Sequence, residues 1–332
     1  MTQINVAEGA LAPAKIDEAI PFQIDGLDAR GRAVLLGPAL TQILGRHDYP
    51  EPVARLLGEM VVLTVLLGTS LKFTGKMIIQ THTDGPVSLL VDDFVAPDAI
   101  RAYARFDADK VAEHVRSGKT QPSEMLGKGL LALTLDQGEY MNRYQGMVTL
   151  DGSSLEEIAR NYFRQSEQIP TEVRMAVGKL TERSNDGEVK TTWRAGGILT
   201  QFLPESEDRV RQRDLHPGDV PEGTEVPSAD FDDDDAWAEV KALMGTIDDQ
   251  ELLDEQLGAH GVLYRLFHER GVRVFDGQSV VDRCSCSREK VANVLKSFSA
   301  EQREQSAENG KISIVCEFCS AAYSFAPDEV DY

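Results

Sequence analysis

Cysteine is scarce in this chain. Only four occur in 332 residues, and none precedes position 284. That scarcity excludes a disulfide-stapled secreted scaffold and favours a reducing compartment, so a cytoplasmic protein is expected. Basic charge is also short. The chain has 34 Lys and Arg against 55 Asp and Glu, a net charge of −21. A phosphate-binding surface needs a basic field, so nucleic acid is not an expected partner. The first twenty residues lack a basic segment followed by an apolar run, so no signal peptide is expected. The most apolar stretch, Met60 to Leu67, is too short to span a bilayer. No internal repeat is present. Enzymatic motifs are missing too: there is no Walker loop, no G-x-S-x-G and no dinucleotide fingerprint in context. His268-Glu269 has no second histidine four positions on, so it is no zincin motif, and His47 reads as a turn residue. A non-enzyme is expected.

What is present reads as a globular α+β protein of two or three domains, 42% apolar and 27% charged. Residues 1–20 read as a flexible arm. Strands are expected at Pro21 to Ile24 and Ala33 to Leu36. Pro50 and Pro52 fix a stiff turn. A helix then runs from about Val53 to Lys72, apolar nearly all round its second half, which marks it as the buried core helix. Strand patterns follow at Lys76 to Thr81, Val87 to Asp92, Ile100 to Phe106, Leu130 to Leu135 and Met147 to Leu150. The last two are joined through Gln137-Gly138-Glu139. Ser154 and Glu157 form a capping box opening a helix with Leu155, Ile158, Ala159, Tyr162 and Phe163 on one face. Val173 to Leu180 and Lys190 to Arg194 read as strands, and Ala195-Gly196-Gly197-Ile198-Leu199 as a tight, close-packed passage. Arg30 and Arg32 could mark a polar site, but they are expected to pair with strand or turn carboxylates.

Composition shifts after Pro204. Residues 205–235 hold 12 acids, 3 arginines and 3 prolines without apolar periodicity, the pattern of a solvated, disordered insertion. From Ala236 short helices return. Trp237, Val240, Met244 and Ile247 share one face, with Asp235 as N-cap. A second helix carries Leu252, Leu253 and Leu257, with Gly258 and Gly261 interrupting it, and a third carries Val262, Leu263, Leu266 and Phe267. Helices this short must dock on something, so they are read as a lid over an apolar surface of the first domain.

All four cysteines fall in the last fifty residues: Cys284, Cys286, Cys316 and Cys319, a C-x-C and a C-x-x-C separated by 29 residues. Two close pairs and a helix-length spacer suit tetrahedral four-thiolate zinc, one ion per chain. Ser287 can cap a helix through Phe298; a second helix ends before Asn309-Gly310; Lys311 to Val315 is a strand leading to Cys316. Tyr323 and Phe325 give aromatic cover. About 47 residues make a poor core, so the metal should carry the folding free energy. Arg283, Arg288 and Lys290 would offset the −2 charge of such a centre. The residues by themselves leave a static structural zinc module, binding protein or nucleic acid, beside a redox-responsive one.

The sequence closely resembles the heat shock protein 33 family of redox-regulated bacterial chaperones. The resemblance rests on Cys284-Ser285-Cys286 and Cys316-Glu317-Phe318-Cys319, supported by Arg30-Gly31-Arg32, His47-Asp48-Tyr49-Pro50, Leu71-Lys72-Phe73 with Gly75, Ala195-Gly196-Gly197, Gln201-Phe202-Leu203-Pro204 and Arg265-Leu266-Phe267-His268-Glu269. It covers residues 20–204 and 236–326; the long arm and the acidic insertion depart from the family pattern. The resemblance implies a 21–204 client-binding and dimerisation core of mixed α/β-sheet structure, a 236–280 helical, metastable linker and a 281–327 zinc redox-switch domain. It also implies an ATP-independent holdase, inactive when reduced and zinc-bound. On oxidation Cys284–Cys286 and Cys316–Cys319 would pair, zinc would leave, the linker would unfold, and a homodimer would hold unfolding clients for hand-over to ATP-dependent refolding chaperones.

Overall fold

Residues 15–71, 73–137, 144–183, 189–203, 234–327 and 329 are described by the structure, a computed structural model. Most of the expected arm, all but the last two residues of the acidic insertion, and the Gly138-Glu139 turn lie outside them. Strands β1 (Glu18–Ile24) and β2 (Ala29–Leu36) pair antiparallel from Glu18 opposite Leu35 to Ile24 opposite Ala29. Both begin earlier than the apolar pattern suggested, because Glu18 and Ala19 also pair with a later strand, and β2 follows directly on a left-handed Asp28. Arg32 donates to the carbonyls of Thr69 and Gly31, in place of the expected carboxylate.

Helix α1 (Pro38–Leu44) starts on a proline, and helix α2 (Glu51–Ser70) has Pro50 at its N-cap and Pro52 in its first turn, where a missing N–H costs nothing. Fifteen of the twenty α2 residues are buried. By length and composition α2 alone among the described helices could cross a membrane, yet 83% of its apolar window is enclosed by this fold. Strands β3 (Lys76–Thr83), β4 (Val87–Val95) and β5 (Ala99–Phe106), helices α3 (Ala108–Arg116) and α4 (Pro122–Leu126), and strands β6 (Lys128–Asp136) and β7 (Tyr144–Asp151) follow. Helix α5 (Leu155–Tyr162) carries the Ser154–Glu157 capping box in both directions, at 3.2 and 2.8 Å. Strands β8 (Thr171–Arg183) and β9 (Val189–Phe202) complete the core.

The strands make two six-stranded sheets with α2 between them. One contains the run β5-β4-β3-β6-β7 and the other the run β1-β2-β9-β8, and short strands from later in the chain complete six in each. Strand periodicity assigns the faces. Ala19, Val34 and Leu36 join the α2 core, while Ile20, Phe22, Ile24 and Ala33 point to the opposite side. That outer face is covered by α6 (Asp235–Met244), α7 (Asp249–Leu253) and α8 (Gly258–Phe267). Trp237, Val240, Met244, Ile247, Leu252, Val262, Leu263, Leu266 and Phe267 bury against it, the packing expected of a lid.

Details of this cover differ from expectation. Asp234 caps α6, accepting from the amides of Ala236 and Trp237, and Asp235 is already helical. Gly258, at φ 60°, begins α8, and Gly261 lies inside it. After one further helical turn at His268–Arg270 the segment is extended: β10 (Val272–Val274) and β11 (Gln278–Ser279) both pair with β1. Ala195 to Leu199 lies within β9 and is the close-packed passage expected. A Cβ on Gly196 would stand 2.0 Å from the Leu252 carbonyl oxygen, and one on Gly197 2.5 Å from Val62 on α2. Adjacent glycines thus let two different layers close on one strand.

Candidate metal centre

The cysteine segment starts on the core itself. Strand β12 (Val281–Asp282) adds in parallel to the edge of β5, with Val281 N donating to Asp98 O and Arg283 N to Ile100 O. Asp282 is held in a forked pair by Arg46 from the loop after α1. This anchoring delivers Cys284 and Cys286 to the surface of β5. Ser287 caps α9 (Arg288–Lys296) through the Lys290 amide, as its sequence position suggested. Helix α10 (Ala300–Gln305) and the left-handed Asn309-Gly310 turn lead to the hairpin β13 (Ile312–Val315) and β14 (Ala322–Phe325). Between those strands the Cys316–Cys319 turn is closed by Ser320 N donating to Cys316 O, and Cys316 N to Ala321 O.

All four sulfurs lie within 4.8 Å of one another, and none is in a disulfide. Cys284 Sγ is 3.8 Å from Cys316 Sγ, and Cys286 Sγ is 3.3 Å from Cys319 Sγ. A tetrahedron with metal–sulfur bonds of about 2.3 Å has edges of about 3.8 Å, so the four cysteines can together hold a metal ion. The bare sulfurs do not share one acidity. Burial raises the Cys284 thiol, but the Arg101 guanidinium and the Cys286 amide outweigh it and bring it down to about 7. Burial, with the other sulfurs alongside, pushes Cys319 up to about 12. Four thiolates this close repel one another, and a cation at their centre removes that cost. Tyr323, read from the sequence as apolar cover, places its hydroxyl 3.1 Å from Cys286 Sγ.

The expected charge partners are mostly elsewhere. Arg283 pairs with Asp98, and Arg288 pairs with Glu329 while stacking on Phe325. Lys290 donates to the Ser285 carbonyl, not to a sulfur. Among the described residues, the cation that reaches a sulfur is Arg101 on β5, with Nη1 3.4 Å from Cys284 Sγ. It stands 183 residues from its partner, and no local signal marks it. His47 and His268 lie outside the centre: His47 sits between the Tyr49 and Tyr103 rings, and His268 Nδ1 contacts the Tyr264 carbonyl.

The family model described as Hsp33 protein matches residues 17–326. This chain belongs to the Hsp33 family. Its curated relatives carry the name 33 kDa chaperonin. The protein from Caulobacter vibrioides is 42% identical over 330 residues, which cover 98% of this chain and 99% of that one. The Pseudomonas fluorescens protein is 37% identical over 311 residues, 93% and 90% of the two chains. The fold is also that of a solved Hsp33 homologue. The crystal structure of the 33 kDa chaperonin from Thermotoga maritima superposes with a TM-score of 0.69 over 95% of this chain and 97% of that one, at 20% identity.

Proposed function

We propose that this chain is a redox-regulated, ATP-independent holdase of the cytoplasm, in which Cys284, Cys286, Cys316 and Cys319 ligate one zinc ion in the resting state. The observation that carries the reading is how little else holds the cysteine module together. Its described core is Leu295, Ile312 and Phe325 with a few half-buried neighbours. When bound, zinc would hold the four sulfurs as thiolates and staple residues 281–327. Thiolates are the form that oxidants attack. Each disulfide takes two thiols and one peroxide to one S–S bond and two waters. Drawing the sulfurs of a pair to about 2.05 Å dismantles the tetrahedron, and Cys284–Cys286 and Cys316–Cys319 are the pairings this reading adopts.

The rest follows from adjacency. Residues 236–280 cover the outer face of the β1-β2-β9-β8 sheet, and β10 and β11 tie them to β1 immediately before the module begins. Loss of order in 281–327 removes the anchor at the end of this cover, and short helices open as a low-stability unit. Opening uncovers Ile20, Phe22, Ile24, Ile198 and Phe202, an apolar face suited to unfolding proteins. On this reading residues 21–204 bind clients and form the active homodimer, which passes clients on to ATP-dependent chaperones.

The test pairs light scattering of a thermally unfolding client with metal and free-thiol counts, before and after peroxide. One zinc, four thiols and no protection when reduced, then no zinc, two disulfides and protection when oxidised, is the expected result. Equal protection in both states would contradict the switch.

A further inference from the structure

The cysteine module does not hang from the linker alone. One side chain of the core sheet reaches into it. Arg101, on β5, has its side chain 15% exposed and makes three contacts at once. Its Nη1 is 3.4 Å from Cys284 Sγ. Its Nε is 2.8 Å from Asp93 Oδ2 on β4, and Nη2 donates to the same oxygen. Its Cζ lies 4.0 Å from the centre of the Phe318 ring, inside the Cys316–Cys319 turn. Phe318 in turn packs against Tyr103, two residues along β5, at 6.3 Å between ring centres. Arg101 thus touches both halves of the four-cysteine cluster, through the sulfur of the first pair and the aromatic residue within the second.

We propose that Arg101 is a positioning residue that latches the cysteine module to the core sheet, holding Cys284 by charge and Phe318 by stacking while Asp93 fixes the guanidinium between them. A four-thiolate zinc centre carries net charge −2, and a fixed cation beside one sulfur stabilises it. The planar fork is what allows one group to grip a carboxylate at its edge and a ring on its face; a lysine ammonium can supply the charge but neither geometry. The state of the metal site is then felt directly by β5. Displacing either Cys284 or the Cys316–Cys319 turn breaks the latch, frees the edge of β5 from β12 and uncovers Tyr103. This inference rests on the zinc reading of the four cysteines.

The test uses the reduced full-length protein and two readouts: the rate of zinc transfer to a chromogenic chelator, and hydrogen-exchange protection of the Val281 and Arg283 amides, which bond to the β5 edge. Arg101→Gln is expected to speed zinc transfer by about 10- to 100-fold and to lose the amide protection. Arg101→Lys should bring the zinc rate back towards wild type while protection stays low. Phe318→Leu should lower protection and leave zinc transfer within a few-fold. Because Arg101→Gln leaves Asp93 buried with Lys76, 3.5 Å away, as its remaining cation among the described residues, the double variant Asp93→Asn/Arg101→Gln is measured too, and it should match Arg101→Gln in both readouts. Protection of the α2 amides reports that the core is folded. Wild-type zinc transfer and protection in the Arg101→Gln and double variants would overturn the latch and leave the zinc reading intact. A wild-type protein that takes up no zinc would sink both.

Discussion

A methyl group at Gly196 would meet the Leu252 carbonyl oxygen at 2.0 Å, so this position measures how closely the linker lies on the sheet. Gly196→Ala should push α7 off β9, since overpacking of this kind costs about 1–3 kcal/mol. Apolar-dye binding by the reduced variant should rise above wild type; identical binding would show that the linker can shift without opening. Asp92 poses a different residue-scale question. It is fully buried on β4, Thr64 Oγ1 donates to its Oδ2 at 3.4 Å, and among the described residues Oδ1 has no hydrogen-bond partner. Burial first, and then the adjacent Asp93, raise its carboxyl well above the usual range. The unfolded chain therefore gives up this proton at lower pH than the folded one. Stability is fully present below the ordinary carboxylate pKa near 3.8 and is lost as pH climbs towards the folded value. Denaturant midpoints of wild type and Asp92→Asn should diverge with rising pH, the wild type losing ground. A constant gap from pH 3 to pH 8 would refute a neutral Asp92.

At the scale of elements, the linker is the part held least by its own backbone. Its helices span ten, five and ten residues, below the length at which isolated helices persist. Their order comes from side chains such as Trp237 against Phe202, 5.6 Å between ring centres, and Phe267 against Phe22 at 6.2 Å. Trp237→Ala should weaken docking by about 3–5 kcal/mol and give client protection without oxidant, as read by light scattering. Charge also bears on the docked state. Glu59 on α2 is raised to about 8 by burial and then by Glu156 on α5 and Asp249 on α7, with Arg55 opposing. Arg174 on β8 lies between the last two, 3.7 Å from Glu156 and 3.4 Å from Asp249. Because the folded value is above the unfolded one, this group's contribution falls as pH rises from about 4.5 to about 8. Hydrogen-exchange protection of α7 should decline across that range in wild type and more shallowly in Glu59→Gln; equal slopes would exclude Glu59.

The whole molecule is a stack: sheet, α2, second sheet, linker helices, with the cysteine module set against the edge of the first sheet. Those layers are unequally stable, since the two sheets share the large α2 core while the module has three buried apolar side chains. Zinc binding to small zinc peptides is worth on the order of 10–16 kcal/mol, more than such a core can replace. Chelation of the reduced protein should therefore abolish exchange protection in β13 and β14 while the α2 amides stay protected. A module equally protected after chelation would remove the basis for the switch.

Much of this was legible residue by residue. The C-x-C and C-x-x-C pairs, the Ser154 and Ser287 caps, the all-round apolar α2 and the linker stripes are signals spanning a few turns of chain, and the sequence by itself determined them because capping, spacing and periodicity act locally. It did not reveal that Glu18 belongs to a strand, that β10 and β11 join β1, that β12 joins β5, or that Arg101 meets Cys284. Those were decided only in the tertiary structure. Strand edges choose partners by which backbone groups remain unpaired once faces are buried, and a guanidinium finds a sulfur 183 residues away only after β5 has been placed beneath it.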